Sequence, residues 1–344
     1  ARGYQGEHGD VKALAMKKWF NTNYHYIVPE VEDDTQIKLS GDKLWNEYDE
    51  AEELGIVTKP MITGAYTMLK LCRYTGNKSA ADYVDDIVKA YKELLQTCGK
   101  KQIAWVQFDE PALVLDMSDK DKKLFHEIYD ELLACSTDTK ILLQTYFGDI
   151  RDIYEDVIKM SFAGIGIDFI EGKQSYELVS KFGFPKDKVL FAGLVNGKNI
   201  WKNHYDKTLK IVNELADKGI DTVISTSCSL LHVPYTLGNE EKLSKEYTAY
   251  FSFAKEKLVE LNELGKLADK KNYCDDEVYK KNHELFNGNR NCTNANVSER
   301  LSKVKEDDYI RLPKRSERQK FQKEEFKLPE LPTTTIGSFR RQRM

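Results

Sequence analysis

Seven short runs of apolar, β-branched and aromatic residues punctuate the first 236 positions of the chain. They occupy 24–31 (YHYIVPEV), 59–67, 103–114, 141–149, 163–172, 189–197 and 221–233. Several are continuously apolar rather than alternating, the pattern of strands buried on both faces. Between them lie stretches with apolar residues three and four apart, notably 79–98, 118–136 and 206–219, the last with Gly219 in C-cap position. Strand followed by helix, repeated, predicts an α/β fold with a parallel sheet covered by helices. Repeated this often, it favours a (β/α)8 TIM-type barrel over an open doubly wound sheet. No Gly-rich phosphate fingerprint follows any run, which speaks against a dinucleotide-binding fold.

Beyond position 236 the pattern shifts to long charged helical sequence, strongest over 240–264, then to a Lys-, Arg- and Glu-rich stretch at 301–330. Strand-like sequence restarts at TTTIGSF near the end. The expected organisation is a partial N-terminal β/α barrel over 1–236, a helical extension and inter-domain linker over 237–330, and a truncated first strand of a further barrel over 331–344.

Charge narrows the partners. With 52 basic against 56 acidic residues the formal net charge is −4, which argues against a general binder of nucleic acid or of anionic membrane. No apolar run reaches membrane-spanning length, and no signal peptide opens the chain. Six widely spaced cysteines without a CxxC pair read as reduced thiols of a cytoplasmic protein.

In a barrel, function collects at the C-terminal strand ends. Those ends carry Asp109 and Glu110, Gln144 with Tyr146, Asp168 with Glu171, Asn196, and Cys228 with Ser229 and His232. Adjacent carboxylates on an extended chain point to opposite sides, so at most one of Asp109 and Glu110 faces the barrel mouth. That one could bind a ligand amine or act as a base; the alternative is a carboxylate that bonds backbone and fixes the loop. Cys228 and His232 lack a nearby second metal ligand, and a buried Cys is commonly a small apolar filler. Asn23, Tyr24, His25 and Tyr26 form a polar-aromatic cluster after Lys17-Lys18-Trp19-Phe20, which reads as the end of an amphipathic helix. Lys beside aromatic rings could hold an anionic, ring-bearing ligand, or could simply suit a helix C-terminus.

Five segments then carry a resemblance: KWFNTNYHYIVPE, QFDEPALV, AGLVNGKNIW, SCSLLHVP and LPTTTIGSF. Together, and in order over nearly the whole chain, they resemble the cobalamin-independent methionine synthases. Those enzymes move a methyl group from 5-methyltetrahydropteroyl-polyglutamate to homocysteine and are built of two β/α barrels, with zinc and the catalytic residues in the second. The resemblance implies that this chain corresponds to the first barrel and linker, lacking counterparts of the family's first two βα units. Lys18 matches a position that contacts methylfolate; Ile336, Gly337 and Ser338 match the turn that holds homocysteine or methionine. The zinc ligands would lie in the C-terminal barrel, beyond Met344. Within the duplicated half, Gln144 and Tyr146 fall near the place of a His-x-Cys pair, and Cys228 near that of a distant Cys.

No metal ligand or catalytic residue is therefore expected in this chain, no cobalamin is required, and the absent catalytic barrel is its expected partner. Alone, the chain is expected to be inactive, or else to act as a folate- or partner-binding barrel fragment. The terminal RRQRM departs from the family; one added T in the Phe339 codon can turn FRRQRM into the family-like FPQTAD, which points to a shifted reading frame.

Overall fold

The computed structural model describes residues 3–7, 10, 12–288 and 294–333. The chain divides into two compact units, Ala1–Gly288 and Asn289–Met344.

In the first unit the strands are β1 (Met16–Lys18), β2 (His25–Ile27), β3 (Glu30–Val31), β4 (Met61–Thr63), β5 (Arg73–Tyr74), β6 (Trp105–Asp109), β7 (Lys140–Gln144), β8 (Gly164–Asp168), β9 (Val189–Val195) and β10 (Thr222–Thr226). The helices are α1 (Lys43–Glu53), α2 (Ala65–Leu71), α3 (Val84–Lys100), α4 (Asp119–Leu133), α5 (Tyr154–Val157), α6 (Ser175–Phe182), α7 (Tyr205–Asp217), α8 (Lys245–Thr248), α9 (Ala254–Ala268) and α10 (Glu277–Asn287). Six strands form one parallel sheet in the order β10-β9-β8-β7-β6-β4, so the α/β reading holds. Helices α3, α4 and α7 present the apolar stripe that their spacing predicted: Ile87, Leu94 and Leu95 on α3, Phe125, Ile128 and Leu132 on α4, and Leu209 and Leu215 on α7 are all buried. Ser118 caps α4 in a capping box with Asp121, and Gly219 follows α7 at φ +69°.

The sheet is curled. Trp105 on β6 meets Phe191 on β9 edge-to-face at 5.7 Å, although those strands are three spacings apart, about 14 Å if the sheet were flat. Gly164 on the intervening β8 makes the meeting possible, because a Cβ there would come within 2.9 Å of Phe191 and 3.1 Å of Trp105. Lys59, just before β4, reaches the Phe191 ring from a strand further away still, at 5.0 Å.

Three local expectations fail. The run 24–31 is not one strand of the sheet. Pro29 interrupts it, so β2 pairs antiparallel with β1, while β3 pairs parallel with β5. Lys17 and Lys18 do not end a helix; they belong to β1, and Trp19 and Phe20 enter the hairpin turn, Phe20 at φ +49°. A three-residue strand exposed along its length carries no hydrophobic period to read. Finally, 240–264 is broken: Ser252 N–H bonds Ile200 O and Phe251 bridges to Trp201, so α8 and α9 are separate. Helices α9 and α10 nevertheless pack into the first unit beside α7, burying Leu264 and Leu267 against Tyr205 and Leu209.

In the second unit, α11 (Ala295–Ser302) is capped by Asn294, whose Oδ1 accepts from the N–H groups of Asn296 and Val297. Helix α12 (Arg315–Phe326) buries no residue. Among the described residues, no helix is long and apolar enough to cross a membrane.

Candidate binding site

The C-terminal ends of the sheet strands carry most of the polar residues singled out from sequence, and the β1–β2 hairpin is tied to the loops there at two points. Asn21 Nδ2 donates to Glu171 Oε2 (3.1 Å), and the Tyr24 hydroxyl donates to Leu231 O (2.6 Å). The hairpin turn is itself closed by Trp19 N–H to Tyr24 O and by the Thr22 hydroxyl to Trp19 O. Trp19 and Phe20 thereby pack on Tyr146, Phe147 and Cys228.

The two adjacent carboxylates part company as alternation requires. Glu110 is fully buried on the helix side. It accepts from the N–H groups of Tyr66 (2.9 Å) and Thr67 (2.7 Å), and from the Tyr129 hydroxyl, so it caps the start of α2. The fit is tight: a Cβ on Gly64 would lie 2.1 Å from Glu110 Oε1. Burial pushes this carboxyl up to about 7 against the pull of its hydrogen bonds.

Asp109 faces the other way, into a cavity of 310 Å³ walled by Trp19, Tyr24, His25, Tyr26 and His232. A second cavity of 170 Å³ adjoins it, sharing Met61, Asp109, Tyr146 and Ser229 and adding Lys59, Gln107, Gln144 and Phe191. Asp109 is nearly buried and accepts only from side chains, Gln107 Nε2 (2.7 Å) and the Tyr146 hydroxyl (3.2 Å). Burial raises it to about 6, while those two donors and the charge of Lys59 pull it back. Lys59 in turn is lowered by burial and raised by Asp109.

The remaining strand-end residues fix loops. Asp168 accepts from the N–H groups of Phe147 (3.0 Å), Ile170 (2.7 Å) and Glu171 (2.9 Å), and burial raises it to about 6. The first of these bonds holds Phe147 at φ +74°, a strained conformation for an aromatic residue. Asn196 accepts from the N–H groups of Lys198 and Asn199, and Gln144 donates to Thr145 O. Ser229 caps its own turn. Lys198 pairs with Glu171 at 2.9 Å and lies 4.9 Å from the centre of the Phe147 ring. His232 packs edge-on to Tyr24 and Phe147 and is lowered by burial and then by Lys198.

Cys228 is buried among these rings, its thiol pushed up to about 12 by burial. Among the described residues, no three His, Cys, Asp or Glu side chains converge in a way that could hold a metal ion. Lys18 sits on the exposed hairpin edge, paired across the strands with His25. Asn23 is exposed in the hairpin turn. Ile336, Gly337 and Ser338 lie outside the described residues.

Lys59, Gln107 and Lys198 did not emerge from sequence reasoning. Lys59 and Gln107 stand before the C-terminal strand ends where barrel function is expected to collect. Lys198 stands two residues past Asn196, and its charge was the available signal.

Comparison with known proteins bears on the whole arrangement. Residues 1–220 match the family profile described as "Cobalamin-independent synthase, N-terminal domain". The chain is 51% identical over 339 residues to the 5-methyltetrahydropteroyltriglutamate–homocysteine methyltransferase of Lactococcus lactis subsp. lactis, covering 98% of this chain and 44% of that protein. It is 50% identical to the enzyme of the same name from Campylobacter jejuni subsp. doylei, covering 98% of this chain and 45% of the relative. The chain thus spans less than half the length of these relatives. In fold it is similar to a B12-independent methionine synthase from Shewanella sp. W3-18-1, with a TM-score of 0.53 and 14% identity over 72% of each chain. On the profile match and this degree of identity, the chain belongs to the cobalamin-independent synthase family, through that family's N-terminal domain.

Proposed function

We propose that this chain serves a cobalamin-independent methionine synthase, in which a methyl group passes from 5-methyltetrahydropteroyltriglutamate to homocysteine, and that its own part is to hold the folate. The observation that carries the reading is the identity of 51% across 98% of the chain to a relative bearing that enzyme's name.

In this reading Lys18 meets the methylfolate. Its exposed position, beside the aromatic turn of the hairpin, suits contact with an anionic glutamate tail. Ile336, Gly337 and Ser338 would supply backbone N–H groups to the amino acid substrate. The curled six-stranded sheet would be part of an eight-stranded barrel, which the meeting of Trp105, Phe191 and Lys59 inside it supports. Residues 237–330 would be the helical extension and inter-domain linker between this barrel and a catalytic barrel in the sequence, and the complex would work in the cytoplasm. Zinc, which in this family activates the homocysteine thiol, finds no fitting donor set among the described residues. Any zinc-dependent step would belong to the catalytic barrel.

Calorimetric titration of the full 344-residue chain with 5-methyltetrahydropteroyltriglutamate tests the reading. Binding is expected, stronger for the triglutamate than for the monoglutamate, and weakened about two- to fivefold by Lys18→Ala, as for loss of one exposed ion pair. No binding, or binding indifferent both to Lys18 and to the number of glutamates, would overturn it. A methyl-transfer assay with zinc and homocysteine is expected to show no turnover by the chain alone.

A further inference from the structure

The 310 Å³ cavity is more than a gap beneath the hairpin. Its walls combine the rings of Trp19, Tyr24, Tyr26 and Tyr146 with aliphatic and polar side chains, its volume lies in the range of small-ligand sites, and its one acidic group is the nearly buried Asp109. Chain segments far apart in sequence build it: Trp19, Tyr24 and Tyr26 come from the hairpin, Tyr146 from the end of β7, and His232 from the loop after β10. The Tyr24–Leu231 hydrogen bond ties two of these segments to one another.

Asp109 is the anionic group in this cavity, and it has acceptor capacity to spare. An ionised carboxylate offers about four acceptor positions, and two are used here, both by neutral donors. Lys59 acts on Asp109 only through its charge, with no hydrogen bond between them, and its ammonium sits over the Phe191 ring instead. A buried carboxylate without a bonded cation is an unfavourable state that a positively charged group would relieve. Rings around such a carboxylate attract the same kind of group through their negative faces.

We propose that this cavity binds a small organic ammonium, its charged nitrogen on Asp109 and its apolar body against Trp19, Tyr24, Tyr26 and His232. The site is distinct from the Lys18 contact, takes a ligand of opposite charge, and stands or falls independently of the folate reading.

Titration of the full chain with 2-phenylethylammonium tests it, with neutral 2-phenylethanol as the control of nearly equal shape. The ammonium is expected to bind saturably, with Kd on the order of 1 mM or tighter. The alcohol is expected to bind at least about tenfold more weakly. Asp109→Asn should weaken the ammonium about tenfold or more and leave the alcohol unchanged, while Trp19→Leu should weaken both by roughly threefold. Thermal melting of each variant reports folding, and the comparison of ammonium with alcohol on the unaltered chain needs no variant. Equal affinity for the two compounds, an unchanged Kd in Asp109→Asn, or no saturable ammonium binding would each overturn the proposal.

Discussion

The two sides of the β6 terminus place neighbouring carboxylates in opposite situations. On the helix side Glu110 is saturated, holding two backbone N–H groups and a tyrosine hydroxyl where α2 begins. On the cavity side Asp109 has two side-chain donors and open space. Burial raises both carboxyls, so raised pKa alone does not mark a binding residue; what the oxygens are bonded to does. Asp168 belongs with Glu110 by this criterion, since three backbone N–H groups occupy it.

The largest expected effect lies on the helix side. Glu110→Gln places an amide NH2 against a backbone N–H, leaving a buried donor unsatisfied, and is expected to destabilise the fold by about 3 kcal/mol in urea unfolding. A loss under about 1 kcal/mol would erase the distinction between the two sides. Gly64→Ala attacks the same junction sterically, and the 2.1 Å approach to Glu110 predicts a loss of about 2 kcal/mol by the same measurement.

On the cavity side, Asp109→Asn should change stability by less than about 1 kcal/mol at pH 7, because the Tyr146 hydroxyl can rotate to accept from the new amide. The sign of its pH dependence follows from the raised pKa. The folded protein keeps a proton on Asp109 that the unfolded chain has released, so the stability contributed by this group is present at low pH and lost as pH rises from about 4 through 6. Lys59, Gln107, Tyr146 and Cys228 beside it, and Tyr24, His25, Tyr26 and His232 around the larger cavity, are the groups that face it. Asp109→Asn should therefore compare more favourably with the unaltered protein at pH 7 than at pH 4. The reverse trend would mean that a cation already satisfies Asp109 in the folded chain.

Much of this comparison was legible in the sequence. Continuous apolar runs alternating with amphipathic stretches gave the parallel sheet, and strand alternation required Asp109 and Glu110 to diverge. Which carboxylate faced the cavity was not legible, since that depends on how β6 sits between β4 and β7. The hairpin was also hidden. Its strands are three residues long, and only distant partners such as Glu171 and Leu231 hold it in place. Cys228 lies buried beside Tyr146 and Phe147, a setting that a lone Cys in sequence does not reveal. Lys59 escaped notice because its neighbours come from strands that only the curl of the sheet brings near.

Asp109 is the open carboxylate of the pair and Glu110 the closed one. Carboxyl-carbon NMR of the full chain, titrated with 2-phenylethylammonium at pH 7, tests this directly. The Asp109 signal is expected to move with ligand and, without ligand, to titrate near pH 6, while the Glu110 signal stays fixed during the ligand titration. Movement of the Glu110 signal with a stationary Asp109 would contradict the account.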